Sequence, residues 1–77
     1  MNDVLLALVK CVLDHGAVVP VQAFRLEKLS AWDTWLTDSL HRVEYASPEA
    51  RPAALASLRE VFDAALAERA YQERMSA

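Results

Sequence analysis

The first thirteen residues carry more apolar positions than an ordinary surface helix needs. On a wheel of about 3.6 residues per turn, these positions sweep roughly 220°, whereas a surface helix shows a little over about 100°. Asn2 or Asp3 can cap the start, and Gly16 suits a left-handed C-terminal residue. We therefore expect a helix from Asp3 to His15 that is covered on two sides by other helices or by another chain. The apolar positions are Val4, Leu5, Leu6, Leu8, Val9, Cys11, Val12 and Leu13.

A second amphipathic pattern follows, with apolar residues three or four positions apart. Pro20 is a suitable first-turn residue, so the pattern predicts one long helix from about Pro20 to Tyr45. Asp38 precedes Arg42 by one turn, which is the better order for an ion pair on a helix. The apolar face consists of Leu26, Leu29, Trp32, Leu36, Leu40 and Val43.

The third pattern begins after a proline-containing break. Ser47 and Pro48 have the order of an N-cap and a first-turn proline, but Pro52 delays the regular helix to about residue 51. The apolar stripe stops after Leu66, so we expect residues 51–70 to be helical and residues 68–77 to be a solvated extension or a frayed tail. The prediction is a single all-α domain over residues 1–77, with one short apolar helix and a long antiparallel helical hairpin.

Composition and net charge make some classes of binding partner and cellular location less favourable than others. The 77 residues carry a net charge of −3 without a cationic cluster, so we expect no nucleic acid partner. A single cysteine excludes an intrachain disulfide and suits the cytoplasm. The apolar run 4–13 contains Lys10 and has about half the length of a membrane span, so we expect no membrane-spanning helix.

No set of residues in the sequence indicates catalysis or a bound cofactor. Cys11 and His15 lie one helical turn apart, but a metal site needs three or four ligands, and His41 is the one other histidine. A buried thiol beside a histidine at the helix end accounts for the pair without a metal. No oxyanion-binding or orienting group accompanies a Cys–His nucleophile. We therefore expect a protein without enzymatic activity, metal or cofactor.

Two apolar surfaces are candidates for binding a protein. Trp32 and Trp35, with Phe24, extend the apolar face of the second helix to one flank, and tryptophan is enriched at interface hot spots. The wide face of the first helix offers either Val9 and Leu13 or Leu5 and Leu8, depending on which side of the helix faces inward. These residues favour a small helical interaction module, such as an accessory subunit, adaptor or inhibitor, with a protein partner, a homo-oligomer or both.

An alternative function comes from the segment Asp38-Ser-Leu-His-Arg-Val-Glu44. It resembles the phosphopantetheine attachment signature of acyl carrier proteins, in which Asp-Ser-Leu is followed two residues later by Val-Glu. The resemblance implies that Ser39 carries the prosthetic group and that Glu44 lies on the recognition helix. The family has a glycine where this chain has Leu36, and its modified serine opens a helix, whereas Ser39 lies inside an amphipathic segment.

Overall fold

The computed structural model describes residues 2–16 and 30–76 of the chain. It contains three α-helices, namely α1 (Asp3–His15), α2 (Ala31–Tyr45) and α3 (Arg51–Ser76), and no strand among the described residues. The predicted all-α class is therefore confirmed.

Helix α1 has the bounds and the caps that its sequence predicts. The Asn2 side-chain oxygen accepts the N–H groups of Val4 and Leu5 at 2.9 and 3.2 Å, which satisfies two of the free donors in the first turn. At the other end Gly16 has a φ of 63°, and its N–H donates to the carbonyl of Val12 at 2.8 Å. A residue without a Cβ adopts this left-handed conformation at little cost.

Helix α2 begins later than predicted. Ser30 is extended, with φ −155° and ψ 169°, and its hydroxyl accepts the N–H of Asp33 at 3.3 Å as an N-cap. The prediction of one continuous helix from Pro20 to Tyr45 is therefore wrong at Ser30. Residues 20–29 of that prediction lie outside the described residues. The sequence carries a signal for this start, because a serine followed three residues later by an acid is a common helix-start pattern.

The connection between α2 and α3 is a short turn centred on Ser47. The Ser47 carbonyl accepts the N–H groups of Ala50 and Arg51 at 3.1 and 2.9 Å, and its hydroxyl accepts the N–H of Ala50 at 3.2 Å. The Arg51 guanidinium reaches back to the carbonyl of Ala46 at 3.3 Å. The end of α2 and the start of α3 thus lie together. At the opposite end Trp32 lines the same cleft as Gln72, so the two helices run antiparallel.

Helix α3 continues to Ser76, well beyond its last core residue, Ala65. Its last turns are exposed and are supported by contacts one turn apart: Gln72 donates to Glu68 at 2.9 Å, and Arg69 to Glu73 at 3.3 Å. Of the two predicted forms of residues 68–77, the solvated helical extension is observed over residues 68–76, and the frayed tail is not.

Leucine and valine side chains from all three helices form the core. The inner face of α1 spans about 160°, counted from its buried residues, rather than the predicted 220°. The difference arises because Val4 is 61% exposed and Cys11 is also exposed. The hydrophobic core consists of Leu5, Leu6, Leu8, Val9, Val12, Leu36, Leu40, Val43, Leu58, Phe62 and Ala65.

A buried carboxylate joins the starts of α1 and α2. Asp33 has no exposed surface, and its Oδ1 accepts the backbone N–H of Asn2 at 2.9 Å. The carbonyl of Asp33 also accepts the hydroxyl of Thr37 at 2.7 Å. Because Asn2 caps α1, this contact fixes the start of one helix against the first turn of the next. Residue type and helical period do not single out Asp33 in the sequence, because its partner lies 31 positions away.

The core positions of α2 and α3 predict large costs for truncation. Leu36 and Leu58 have no exposed surface, so Leu36→Ala and Leu58→Ala should each lower the free energy of unfolding by about 2–5 kcal/mol by leaving cavities. Leu66→Ala is the control, because Leu66 is exposed, and it should cost less than about 1 kcal/mol. Urea denaturation measures all three. Equal small losses would contradict the assigned helix faces.

The buried carboxylate of Asp33 predicts a difference in stability between two aspartate-to-alanine variants of α2. Asp33→Ala should cost about 1–3 kcal/mol, because it leaves the N–H of Asn2 without its acceptor. Asp38→Ala, at an exposed position of the same helix, should change the free energy of unfolding by less than about 0.5 kcal/mol. The measurement is the same urea titration. If the two variants are equally stable, Asp33 does not hold the two helix starts together.

Candidate interaction surface

The first helix does not offer the surface that its sequence suggested. Leu5, Leu8 and Val9 are buried in the chain's own core, and Leu13 is half-buried against it. Helices α2 and α3 therefore cover most of the apolar face of α1. Three of the four predicted contact residues on α1 are inaccessible to a partner. Phe24, another predicted contact, lies outside the described residues.

The two tryptophans form one unit on α2. Their ring centroids lie 4.9 Å apart with an interplanar angle of 83°, which is the edge-to-face arrangement that aromatic rings favour. Trp32 is half-buried and packs against the core, whereas Trp35 is 49% exposed. The buried ring thus supports the exposed one, and Trp35 is the member of the predicted pair that a partner can reach.

Trp35 belongs to a row of exposed residues along α2, here called the α2 stripe: Ala31, Trp35, Asp38, Arg42 and Tyr45. These positions are separated by four and three residues in turn, which is the spacing of a coiled-coil seam. The spacing places them on the side of α2 away from Leu36, Leu40 and Val43, which are buried. Tyr45, at the end of the stripe, is 69% exposed and has a ring contact with His41 at 6.3 Å.

A shallow depression of about 190 Å³ lies beside the stripe, where α2 meets α3. Asp38 and Arg42 border it and do not form the ion pair predicted from their spacing; neither is in an ion pair within the described part of the chain. Both charged groups are therefore open to a partner. The lining residues are Trp35, Asp38, Ser39, Arg42 and Val61.

A larger cleft of about 690 Å³ lies at the open end of the hairpin. Its charged side chains already pair with one another: Arg69 contacts Asp3 at 2.8 Å and Glu73 at 3.3 Å, and Gln72 donates to Glu68. These groups are largely solvated, so their attraction is weak. The cleft is larger than the depression beside Trp35 but offers fewer free charged groups for recognition.

The other residues singled out in the sequence as candidate sites are Cys11, Ser39 and Glu44. Cys11 is exposed, contrary to the buried thiol expected from the sequence. Residues 2–16 and 30–76 contain no group of three or more His, Cys, Asp or Glu arranged to hold a metal ion. Ser39 is 6% exposed and lies in the middle of α2, not at a helix start. Glu44 is half-buried, and its Oε2 is enclosed without a hydrogen-bond partner among the described residues.

Comparison with known proteins gives no match. No protein-family model fits the chain, no curated protein is similar enough to count as a relative, and no solved structure matches. Within the described ranges, no helix combines the length and hydropathy needed to cross a membrane.

The position of Ser39 predicts that it is not modified. With coenzyme A and a broad-specificity phosphopantetheinyl transferase, we expect no gain in intact mass, because the hydroxyl lies on a continuous helix and is nearly covered. Ser39→Ala should fold with equal or slightly greater stability, since alanine is the better helix former. A gain of one phosphopantetheine on the parent chain and none on Ser39→Ala would support the acyl carrier alternative.

Proposed function

We propose that this chain is a small non-enzymatic interaction module that binds a protein through the α2 stripe. One observation carries the proposal: Trp35 is half exposed and is flanked on the same helix face by Asp38 and Arg42, neither of which forms an ion pair among residues 2–16 and 30–76. The α2 stripe replaces the first helix as the surface through which the module acts.

The composition of the stripe favours protein recognition. Tryptophan, tyrosine and arginine are the residues most enriched among interface hot spots, and the stripe presents Trp35, Arg42 and Tyr45 together. Trp35 is held in place by its contact with Trp32, so less conformational entropy is lost when a partner covers it. The depression beside it provides a recess for one side chain of the partner.

The charged residues of the stripe determine the orientation in which a partner can bind. Asp38 and Arg42 lie one turn apart on α2, so the surface presents a negative and a positive group in a fixed order. A partner with the opposite order of charges binds favourably, and one with the same order is repelled. The surface therefore selects its partner by orientation as well as by hydrophobicity.

The proposal is tested by site-specific photo-crosslinking in an extract of the native host. A photoreactive phenylalanine analogue replacing Trp35 should give a discrete protein adduct, and the same analogue at Asp63, an exposed position of α3, should not. Excess unlabelled parent chain should suppress an adduct with a different protein and increase an adduct with a second copy of the chain, whereas excess Trp35→Ala should do neither. Equal adducts at both positions, or no adduct at position 35, would contradict the proposed function.

A further inference from the structure

We propose that the partner seated on the α2 stripe is a second copy of this chain, packed antiparallel through α2. This inference rests on the proposed function, because it names the occupant of the same surface. It starts from the order of the exposed side chains, which run aromatic, acidic, basic, aromatic from Trp35 to Tyr45.

This order is self-complementary when the helix is paired with a reversed copy of itself. A two-fold axis beside Leu40 places Asp38 of one copy opposite Arg42 of the second, and Arg42 opposite Asp38. The same axis places Trp35 opposite Tyr45, so both aromatic residues meet an aromatic partner. An isologous interface requires this reciprocity, in which each contact occurs twice.

The spacing agrees with the geometry of antiparallel helix pairs. If Trp35 and Arg42 occupy the heptad positions labelled “a”, then Asp38 and Tyr45 occupy the positions labelled “d”. In an antiparallel pair, residues at “a” positions lie opposite residues at “d” positions. The proposed contacts of Asp38 with Arg42 and of Trp35 with Tyr45 both pair these two positions. A parallel pair would instead set Asp38 against Asp38 and Arg42 against Arg42, which like-charge repulsion disfavours.

The depression beside the stripe is placed to receive a side chain of the second copy. Trp35, Asp38, Ser39 and Arg42 have the four-residue arrangement of the hole that accepts a knob in a coiled coil, and Val61 of α3 closes one side. In the antiparallel register the entering side chain is Arg42 of the second copy. Its guanidinium donates to the Asp38 carboxylate and lies against the Trp35 ring.

In the part of the chain that the structure describes, the other exposed apolar residues do not form a comparable row. On α3, Tyr71 and Met75 are exposed one turn apart, and Leu66 lies on the opposite side of the helix. Tyr71 is the one exposed aromatic residue described on α3, and Glu68 beside it already accepts a hydrogen bond from Gln72. On α1, Val4 is the exposed large apolar residue among those described. The α2 stripe is thus the place where exposed aromatic residues and complementary charges coincide.

The decisive experiment is sedimentation equilibrium of charge-reversal variants over micromolar to millimolar concentrations. Asp38→Arg and Arg42→Asp each place like charges opposite one another twice per dimer, so each should weaken self-association at least about tenfold relative to the parent. Mixed in equal amounts, the two variants should form a heterodimer about as tightly as the parent dimerises, because every contact between them is again of opposite charge.

The matched control is the pair Asp63→Arg and Arg59→Asp, which reverses two exposed charges of α3 with the same spacing. These variants should dimerise like the parent, and circular dichroism should show that all four variants are folded. A parent chain that stays monomeric, or variants that fail to recover association when mixed, would overturn the second copy as the occupant. A Trp35-dependent adduct with a different protein would then still support the proposed function.

Discussion

Burial of the inner face of α2 is the constraint on which the rest of the structure depends. Leu36, Leu40 and Val43 are enclosed together with core residues of α1 and α3, and this fixes the rotation of α2 about its own axis. Once the inner residues are set, the helical period determines which residues point outward. The exposure of Trp35 and of the two charges beside it is therefore a consequence of core packing in a chain of 77 residues.

The N-terminal ends of α1 and α2 are tied together by a polar contact of a different kind. The side-chain oxygen of Asp33 accepts the backbone N–H of Asn2, while the side-chain oxygen of Asn2 accepts N–H groups in the first turn of α1. The two helix starts are thus linked through consecutive caps. Because the carboxylate is buried, breaking this hydrogen bond is costly, which makes the register of α1 on α2 specific.

Much of the fold is readable from local sequence, because helix ends are set by short-range chemistry. The caps at Asn2 and Gly16 and the turn at Ser47 follow from the residue types at those positions. The start of α2 is hard to predict, because the apolar period of the sequence continues through Ser30 and conceals the capping role of this serine. The burial of Asp33 depends on a residue 31 positions away, which no local pattern reveals.

The candidate surface was only partly predictable for the same reason. Trp35 was identified from its place on the flank of the apolar face, but the roles given to Leu5, Leu8 and Val9 depended on how much of α1 the other helices cover. The α2 stripe becomes visible only when the buried side of α2 is known. Its residues can then be read in order, and that order carries the argument for a two-fold contact.

The measurement that tests this account most directly is an isotope-filtered nuclear Overhauser experiment on a mixture of labelled and unlabelled parent chain. It reports contacts between copies without altering any side chain. We expect intermolecular contacts between the Trp35 indole of one copy and the Tyr45 ring of the other. Contacts from Trp35 to Trp35, or no intermolecular contact from the α2 stripe at millimolar concentration, would contradict it.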